Sequence, residues 1–357
     1  MKVKKIFFVA DAKSIHTVRW VDYFVNKKYD VYLATFASVN NTNCKNIYFL
    51  GKQKTNVGGG NYHYLWSIFE LSKIFSKIKP DIINAHYSYS MGFVALLAKK
   101  HSKIKTSFSV VCHGSDILAP PKPYIFDRIN RYVVNRCDKV FVVSDQIKDK
   151  VESFGVDVNN IFVGQYGLNI EQKECKKDID IISNRAYCSN SRIDFLLDSL
   201  DELKNLNLNI VFVIPNIDNK SFEKLVEKYP YIKFYKEMEH AKMLNLVNRS
   251  KIYISATRSD GTSLSLLEAM KLGAIPLVSN IVSNRSWVLD GINGYLFNGK
   301  IDFLFKLKQL LQLEIKKRES MINLNKILIS QKADYYKQMK KIETFLITKK
   351  IYNGSTK

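Results

Sequence analysis

Short runs of β-branched and aromatic residues recur along the chain, each followed by a longer stretch whose apolar positions return every three or four residues. In the first half the runs are Lys5–Ala10, Val31–Ala34, Ile82–Ala85, Ser107–Val111 and Val140–Val143. They are nearly continuously apolar, as strands covered on both faces must be. Between them lie helix-length stretches such as Thr17–Lys27 and Pro123–Cys137. This alternation predicts a doubly wound α/β domain. After Gly167-Leu168-Asn169 the chain turns polar through Glu171–Asp178, which reads as a linker. The alternation restarts at Ile179–Ser183 and continues through Ile210–Ile214, Lys233–Tyr235, Ile252–Ala256 and Ile275–Ser279. From about Ile301 to Ile351 the periodicity is helical. The expected fold is therefore two Rossmann-like α/β domains facing a cleft. Gly58-Gly59-Gly60 is not followed by the Lys-Ser/Thr of a phosphate loop and reads as a flexible connection.

Composition changes this picture little. The 357 residues are 46% hydrophobic and 25% charged, enough for two separate cores. No apolar run reaches membrane-spanning length, and the start of the chain lacks the pattern of a secretory signal, so a cytoplasmic protein is expected. Cys44, Cys112, Cys137, Cys175 and Cys188 are scattered singly, without the spacing of a disulfide framework or a zinc site.

Charge changes it more: the formal net charge is +22. No nucleic-acid-binding signature accompanies it, and a nucleic-acid partner is not expected. Ser67–Lys79 alternates apolar and basic residues at helical spacing, which fits an anionic membrane surface; a general Lys, Asn and Ile bias over a solvated surface fits as well.

The richest stretch for chemistry is Ser259-Asp260-Gly261-Thr262-Ser263-Leu264-Ser265-Leu266-Leu267-Glu268-Ala269-Met270. It lies between two strand candidates, with Gly273 ending a short helix. In a parallel sheet such a loop sits at the carboxyl end of its strand, where the helix start offers N–H groups to an anion. An acid in the loop and another down the helix can grip hydroxyls on either side of that anion, a layout suited to a sugar nucleotide. Local structure offers a second explanation: Ser265 and Glu268 have capping-box spacing, and Asp260-Gly261 is an ordinary turn pair.

With these pieces the chain resembles, over nearly its whole length, the retaining GT-B glycosyltransferases of family 4. The stretch above is similar to that family's acidic-x7-acidic signature, and it continues through Glu268–Ser279. Asn284–Phe297 is similar to the family's hairpin before the C-terminal helices. Cys112-His113-Gly114-Ser115-Asp116 resembles its His-Gly-Ser-Asp block, and Val142-Val143-Ser144 its strand-end serine. The resemblance implies an N-terminal, acceptor-side domain over residues 1–168, a nucleotide-sugar-binding domain over 178–329, and a final helix, about 330–357, packing back on the first. It implies that Glu268 accepts hydrogen bonds from ribose hydroxyls and that Asp260 holds hydroxyls of the transferred sugar. Gly261, Thr262, Ser263 and Leu264 would face sugar and diphosphate, and His113 would stabilise charge at the anomeric carbon. Arg185 would clamp the leaving diphosphate.

The chain also departs from the family pattern. Where a lysine is expected a few residues beyond Arg185, Ser191 stands, with Arg192 beside it as a weaker candidate for the diphosphate. The loop Asp11–Trp20 lacks the glycine pair that lets backbone approach a ligand, which turns attention to the side chains of Ser14, His16 and Thr17. His16 and His86 are the candidate acceptor contacts. The first acid is aspartate where many members carry glutamate.

The resemblance implies a hexosyltransferase that needs neither metal nor cofactor, using a UDP- or GDP-sugar and a glycan or lipid-linked acceptor to build a cell-surface polysaccharide such as lipopolysaccharide or capsule. The expected location is cytoplasmic, at the inner face of the plasma membrane. The alternatives are a sugar-nucleotide 2-epimerase of the same fold and an inactive GT-B scaffold.

Overall fold

The computed structural model describes residues 4–36, 38–39, 42–50, 62–118 and 123–348; Gly58-Gly59-Gly60 lies outside them. The chain divides into two compact units, Met1–Tyr166 with Tyr336–Lys357, and Gly167–Tyr335.

The first unit holds a seven-stranded sheet of β1 (Lys5–Val9), β2 (Asp30–Thr35), β3 (Asn46–Phe49), β4 (Ile82–His86), β5 (Ser107–Cys112), β6 (Lys139–Val142) and β7 (Ile161–Val163). The order is β3-β2-β1-β4-β5-β6-β7 and every pairing is parallel. Successive side chains on a strand point to opposite faces. Phe7 accordingly meets Phe75 edge-on at 5.0 Å in the Ser67–Ile78 helix, while Phe8 meets Phe24 at 5.7 Å in the Ile15–Asn26 helix. Helices on both faces explain why the central strands are nearly continuously apolar.

The second unit repeats the plan with β8 (Ile179–Ser183), β9 (Ile210–Val213), β10 (Ile232–Tyr235), β11 (Ser250–Ser255), β12 (Ile275–Ser279) and β13 (Tyr295–Phe297), in the order β10-β9-β8-β11-β12-β13. Ile181, Phe212, Ile254 and Leu277 enter one core layer with Leu196, Leu197 and Phe303. Their neighbours Ile182, Val211, Tyr253 and Val278 enter the other, with Leu266, Leu267 and Met270.

In each sheet the winding reverses between two central strands, β1 and β4 in one and β8 and β11 in the other. Loops leaving such a pair run apart and open a crevice at the carboxyl ends.

Three differences from the sequence reading have physical causes. The polar run expected as a linker, Glu171–Asp178, is an ordered edge of the second unit: Lys177 donates to the carbonyls of Ser250 and Leu272, and Asn248 to that of Lys173. The unit boundary falls earlier, between Tyr166 and Gly167. The segment likened to a hairpin is instead a turn leading into a parallel strand, since β13 pairs in parallel with β12. Gly294 is required in that turn because a Cβ there would lie 2.5 Å from Pro276. The tail forms helices Lys300–Leu311, Ile315–Lys332 and Tyr335–Ile347, and the chain re-enters the first unit at Tyr336.

Candidate functional site

In the second unit, the loop after β8 carries Arg185 and the loop after β11 carries Asp260. The guanidinium donates to Asp260 Oδ2 and to Ser263 Oγ, each at 2.9 Å. Ser263 is also the N-cap of the Leu264–Lys271 helix, its Oγ accepting from the Leu266 N–H at 3.3 Å. The positive side chain is thus fixed at the positive end of a helix, where its charge and the unpaired N–H groups of the first turn can meet the same anion. Of the five N–H donors a guanidinium owns, these bonds use two.

A residue that the sequence reading passed over fastens the same loops. Asn190 donates to the Ser259 carbonyl at 2.9 Å, accepts from the Ser259 N–H at 3.1 Å, and offers its own carbonyl to the Arg258 N–H at 2.9 Å. An asparagine between two serines in a loop carries no sequence signal for this role.

Glu268 is held further along the helix. With the cap at Ser263 rather than Ser265, Glu268 does not occupy the capping-box position. Its carboxylate is buried, and Oε1 lies 2.9 Å from Nε2 of the half-exposed His240, the first residue of the His240–Asn248 helix. The second oxygen remains for another donor. Gly261 and Ser263 are buried and Thr262 and Leu264 half-buried; the Thr262 hydroxyl donates to the Gly261 carbonyl.

Arg192 does not join this group. It adopts a left-handed conformation (φ 52°) at the start of the Ile193–Leu200 helix, and its guanidinium lies 4.1 Å from the centre of the Phe195 ring. Stacking on an aromatic one turn away directs it along its own helix. Ser191 is buried, with its hydroxyl 3.2 Å from the Cys188 sulfur. Cys188 has a thiol pKa below the ordinary value: burial pulls it up, but hydrogen bonds from Ser191 and Asn190 and the nearby Arg185 outweigh that.

In the first unit, the histidines selected from sequence come together at the carboxyl ends of β4 and β5. His86 is the last residue of β4 and His113 follows β5, with His113 Nε2 3.2 Å from His86 Nδ1. Tyr166 OH is hydrogen-bonded to His113 Nδ1. His16, in the first turn of the Ile15–Asn26 helix, stacks on Tyr166 at 4.3 Å, and Tyr87 stacks on His113 at 4.2 Å. Burial keeps all three histidines neutral. It lowers the His16 pKa to about 4, with Arg19 adding to the effect, and that of His86 to about 3, with His16 adding to it. For His113, burial and then His86 and His16 lower it well below the usual range.

The backbone here is shaped by Asp116, a fully buried carboxylate accepting from the N–H groups of Ser88, His113 and Gly114 at 2.8, 3.0 and 3.0 Å. Burial raises its pKa and those backbone donors oppose the rise. Tyr87 takes φ 69°, costly for a non-glycine residue, and a π-helical turn, Ser88–Gly92, follows it. In the loop after β1, Asp11 stands where glycine was expected: Oδ1 accepts from the Lys13 N–H at 2.9 Å and its carbonyl from the Ser14 N–H at 3.1 Å. A side-chain-supported turn thus replaces glycine conformations. Ser14 begins the next helix without using its hydroxyl as a cap, and the buried Thr17 hydroxyl has no hydrogen-bond partner.

Comparison with known proteins supplies an independent reading. Residues 5–144 match the model of the family described as glycosyl transferase 4-like, and residues 169–327 that of glycosyl transferases group 1. The UDP-N-acetylglucosamine–peptide N-acetylglucosaminyltransferase GtfA subunit of Streptococcus pneumoniae is 21% identical over 180 residues, which are 49% of this chain and 35% of that protein. The match thus spans about a third of the length of that relative. Among solved structures, HepE of Anabaena in complex with UDP and glucose has a TM-score of 0.78 at 12% identity, covering 96% of this chain and 99% of that one. Sucrose-phosphate synthase of Thermosynechococcus elongatus has 0.77 at 10% identity, covering 96% and 98%. At these identities the likeness to the two solved structures is one of fold.

Proposed function

We propose that this chain, a glycosyltransferase of GT-B fold, moves a hexose from a UDP-sugar to a glycan or lipid-linked acceptor with retention of configuration. The observation that carries this reading is Arg185 held by Asp260 and Ser263 at a helix N-terminus, with the buried carboxylate of Glu268 farther along that helix. UDP is favoured over GDP as the carrier because it is the nucleotide in the names of both the curated relative and the HepE complex.

In this mechanism the helix start and the remaining Arg185 donors bind the diphosphate and stabilise the charge it gains as the sugar–phosphate bond breaks. Asp260, already oriented by Arg185, accepts from sugar hydroxyls, and the free oxygen of Glu268 accepts from a ribose hydroxyl. With its ring nitrogens and N–H engaged by His86, Tyr166 and Asp116, His113 has its backbone carbonyl to offer the sugar, and its neutral ring does not repel an oxocarbenium-like carbon. His16, which is partly exposed, contacts the acceptor, whereas His86, fully buried, acts only by positioning His113 across their 3.2 Å contact. The product belongs to a cell-surface polysaccharide, made at the cytoplasmic side of the membrane.

The test is a panel of labelled UDP- and GDP-sugars, each incubated with and without a lipid extract and glycan acceptors. Acceptor-dependent transfer from a UDP-hexose is expected. Isomerised donor formed without acceptor would identify a 2-epimerase, and tight donor binding without turnover a scaffold.

A further inference from the structure

The positive charge is distributed unequally. The first unit carries 30 Lys and Arg against 13 Asp and Glu, and the second 25 against 20, so +17 of the net +22 belongs to the first unit. That unit also displays a cluster of large apolar side chains its core does not absorb. The Ser67–Ile78 helix turns Leu71, Phe75 and Ile78 inward, yet Phe69 on its outer face is 56% exposed. The preceding turn adds Leu65 at 45% and Trp66 at 78%. Lys73 and Lys77 continue the exposed face at helical spacing from Phe69 and Trp66. The C-terminal end of the Phe93–Ser102 helix lies alongside: His101 meets the Phe69 ring edge-on at 5.1 Å, next to Lys99 and Lys100. Glu70 is the acid on this face. Among the described residues, Lys73, Lys77 and Lys100 have no ion-pair partner.

We propose that Leu65, Trp66 and Phe69, with Lys73, Lys77 and Lys100 around them, form a docking surface for an anionic lipid bilayer. No helix among the described residues is long and apolar enough to cross a membrane, so contact of this kind is interfacial. The apolar side chains enter the boundary between headgroups and acyl chains, where indole and phenyl rings gain most, while the lysines remain at headgroup level against lipid phosphates. Charge alone would favour any polyanion. The exposed aromatic edge beside the lysines is what favours a bilayer, since a nucleic-acid backbone offers no apolar phase. The inference stands whether or not the transfer reaction proposed above is correct.

The full chain tests it by sedimentation with vesicles of phosphatidylcholine, alone or mixed with phosphatidylglycerol. Trp66 is a built-in probe, because the other tryptophans, Trp20 and Trp287, are buried. Sedimentation with the mixed vesicles, release by salt and a blue shift of Trp66 emission are expected. Changing Trp66→Ser with Phe69→Ser, or Lys73→Glu with Lys77→Glu, should each weaken vesicle binding by about tenfold or more. All four positions are exposed, and an unchanged melting temperature verifies that the variants are folded. Equal sedimentation with neutral vesicles, an unshifted Trp66 spectrum, or unchanged binding in both double variants would overturn the proposal. Tighter binding to a DNA duplex than to mixed vesicles at equal salt would overturn it in favour of nucleic acid.

Discussion

Arg185 binds Asp260 and Ser263 through two different guanidinium nitrogens, so one side chain fastens the loop after β8 to the loop after β11. A lysine has one ammonium group and cannot hold both oxygens in the same plane. Arg185→Lys is therefore expected to fold yet to lower kcat by about 10²-fold or more, the effect of losing an aligned donor at a developing anion. Asp260→Asn should keep the loop spacing while weakening the hold on the sugar. Steady-state kinetics with a UDP-hexose separates the two: Arg185→Lys should act chiefly on kcat, and equal kcat in wild type and Arg185→Lys would remove the arginine from the chemistry.

Glu268 has one oxygen engaged by His240, which leaves the other to meet a ligand. Glu268→Ala should weaken UDP binding by about tenfold, or ~1.4 kcal/mol, the scale of a lost charge-assisted hydrogen bond. Glu268→Gln replaces one acceptor by a donor and should fall between alanine and wild type. Calorimetry with UDP reads both, and an unchanged affinity in Glu268→Ala would refute the ribose assignment.

The central strands were legible because burial on both faces leaves few polar positions; Ile179–Ser183, interrupted by Asp180, and Ile275–Ser279 were located to the residue. The edge strands β3 and β7 were not recognised, and β13 was read only as part of a hairpin. They are three or four residues long, and β3 has no fully buried position, so it leaves only a weak pattern. Site residues carried by a motif, such as Asp260 and His113, could be selected from sequence. Tyr166, Asn190 and His240 could not, because each acts through a partner 53, 69 or 28 residues away, a relation created only by the fold. Asp116 sat inside a recognised block, but its work as a backbone acceptor is visible only once Ser88 is beside it.

Neutral histidines make the first unit sensitive to acid. The pKa of His86 is about 3 in the folded protein against an ordinary 6.5, so the unfolded chain binds the extra proton first as pH falls. The stabilisation is fully present above pH 6.5 and is lost as pH falls toward 3, at a slope of about 1.4 kcal/mol per pH unit for one proton. His16, lowered to about 4, contributes in the same direction. Denaturant titrations between these limits should show stability falling with pH, and His86→Asn should flatten the slope even if it lowers stability at neutral pH. An unchanged slope would mean that another group sets the acid limit.

Glu343 joins the last helix to the start of the chain. Its Oε2 accepts from Tyr23 and its Oε1 from Tyr29, each at 2.8 Å, and burial together with this carboxylate pushes the Tyr29 phenol up to about 12. Just beyond Glu343, at the C-terminal end of the helix, Lys139 donates to the Phe345, Leu346 and Thr348 carbonyls, groups that the helix itself leaves unpaired. The C-terminal third of the Tyr335–Ile347 helix is thus held by polar bonds from Tyr23, Tyr29 and Lys139 as well as by packing, including Phe345 against Phe141 at 5.4 Å. Glu343→Ala leaves two part-buried phenols without their acceptor and should cost about 1–3 kcal/mol. Glu343→Gln keeps one acceptor oxygen and should cost less. Hydrogen exchange decides whether the loss is local: amides of 339–347 should exchange faster in Glu343→Ala, while those of β1 and β4 keep their protection. Uniformly faster exchange through the first unit would show instead that the helix and the sheet open as one.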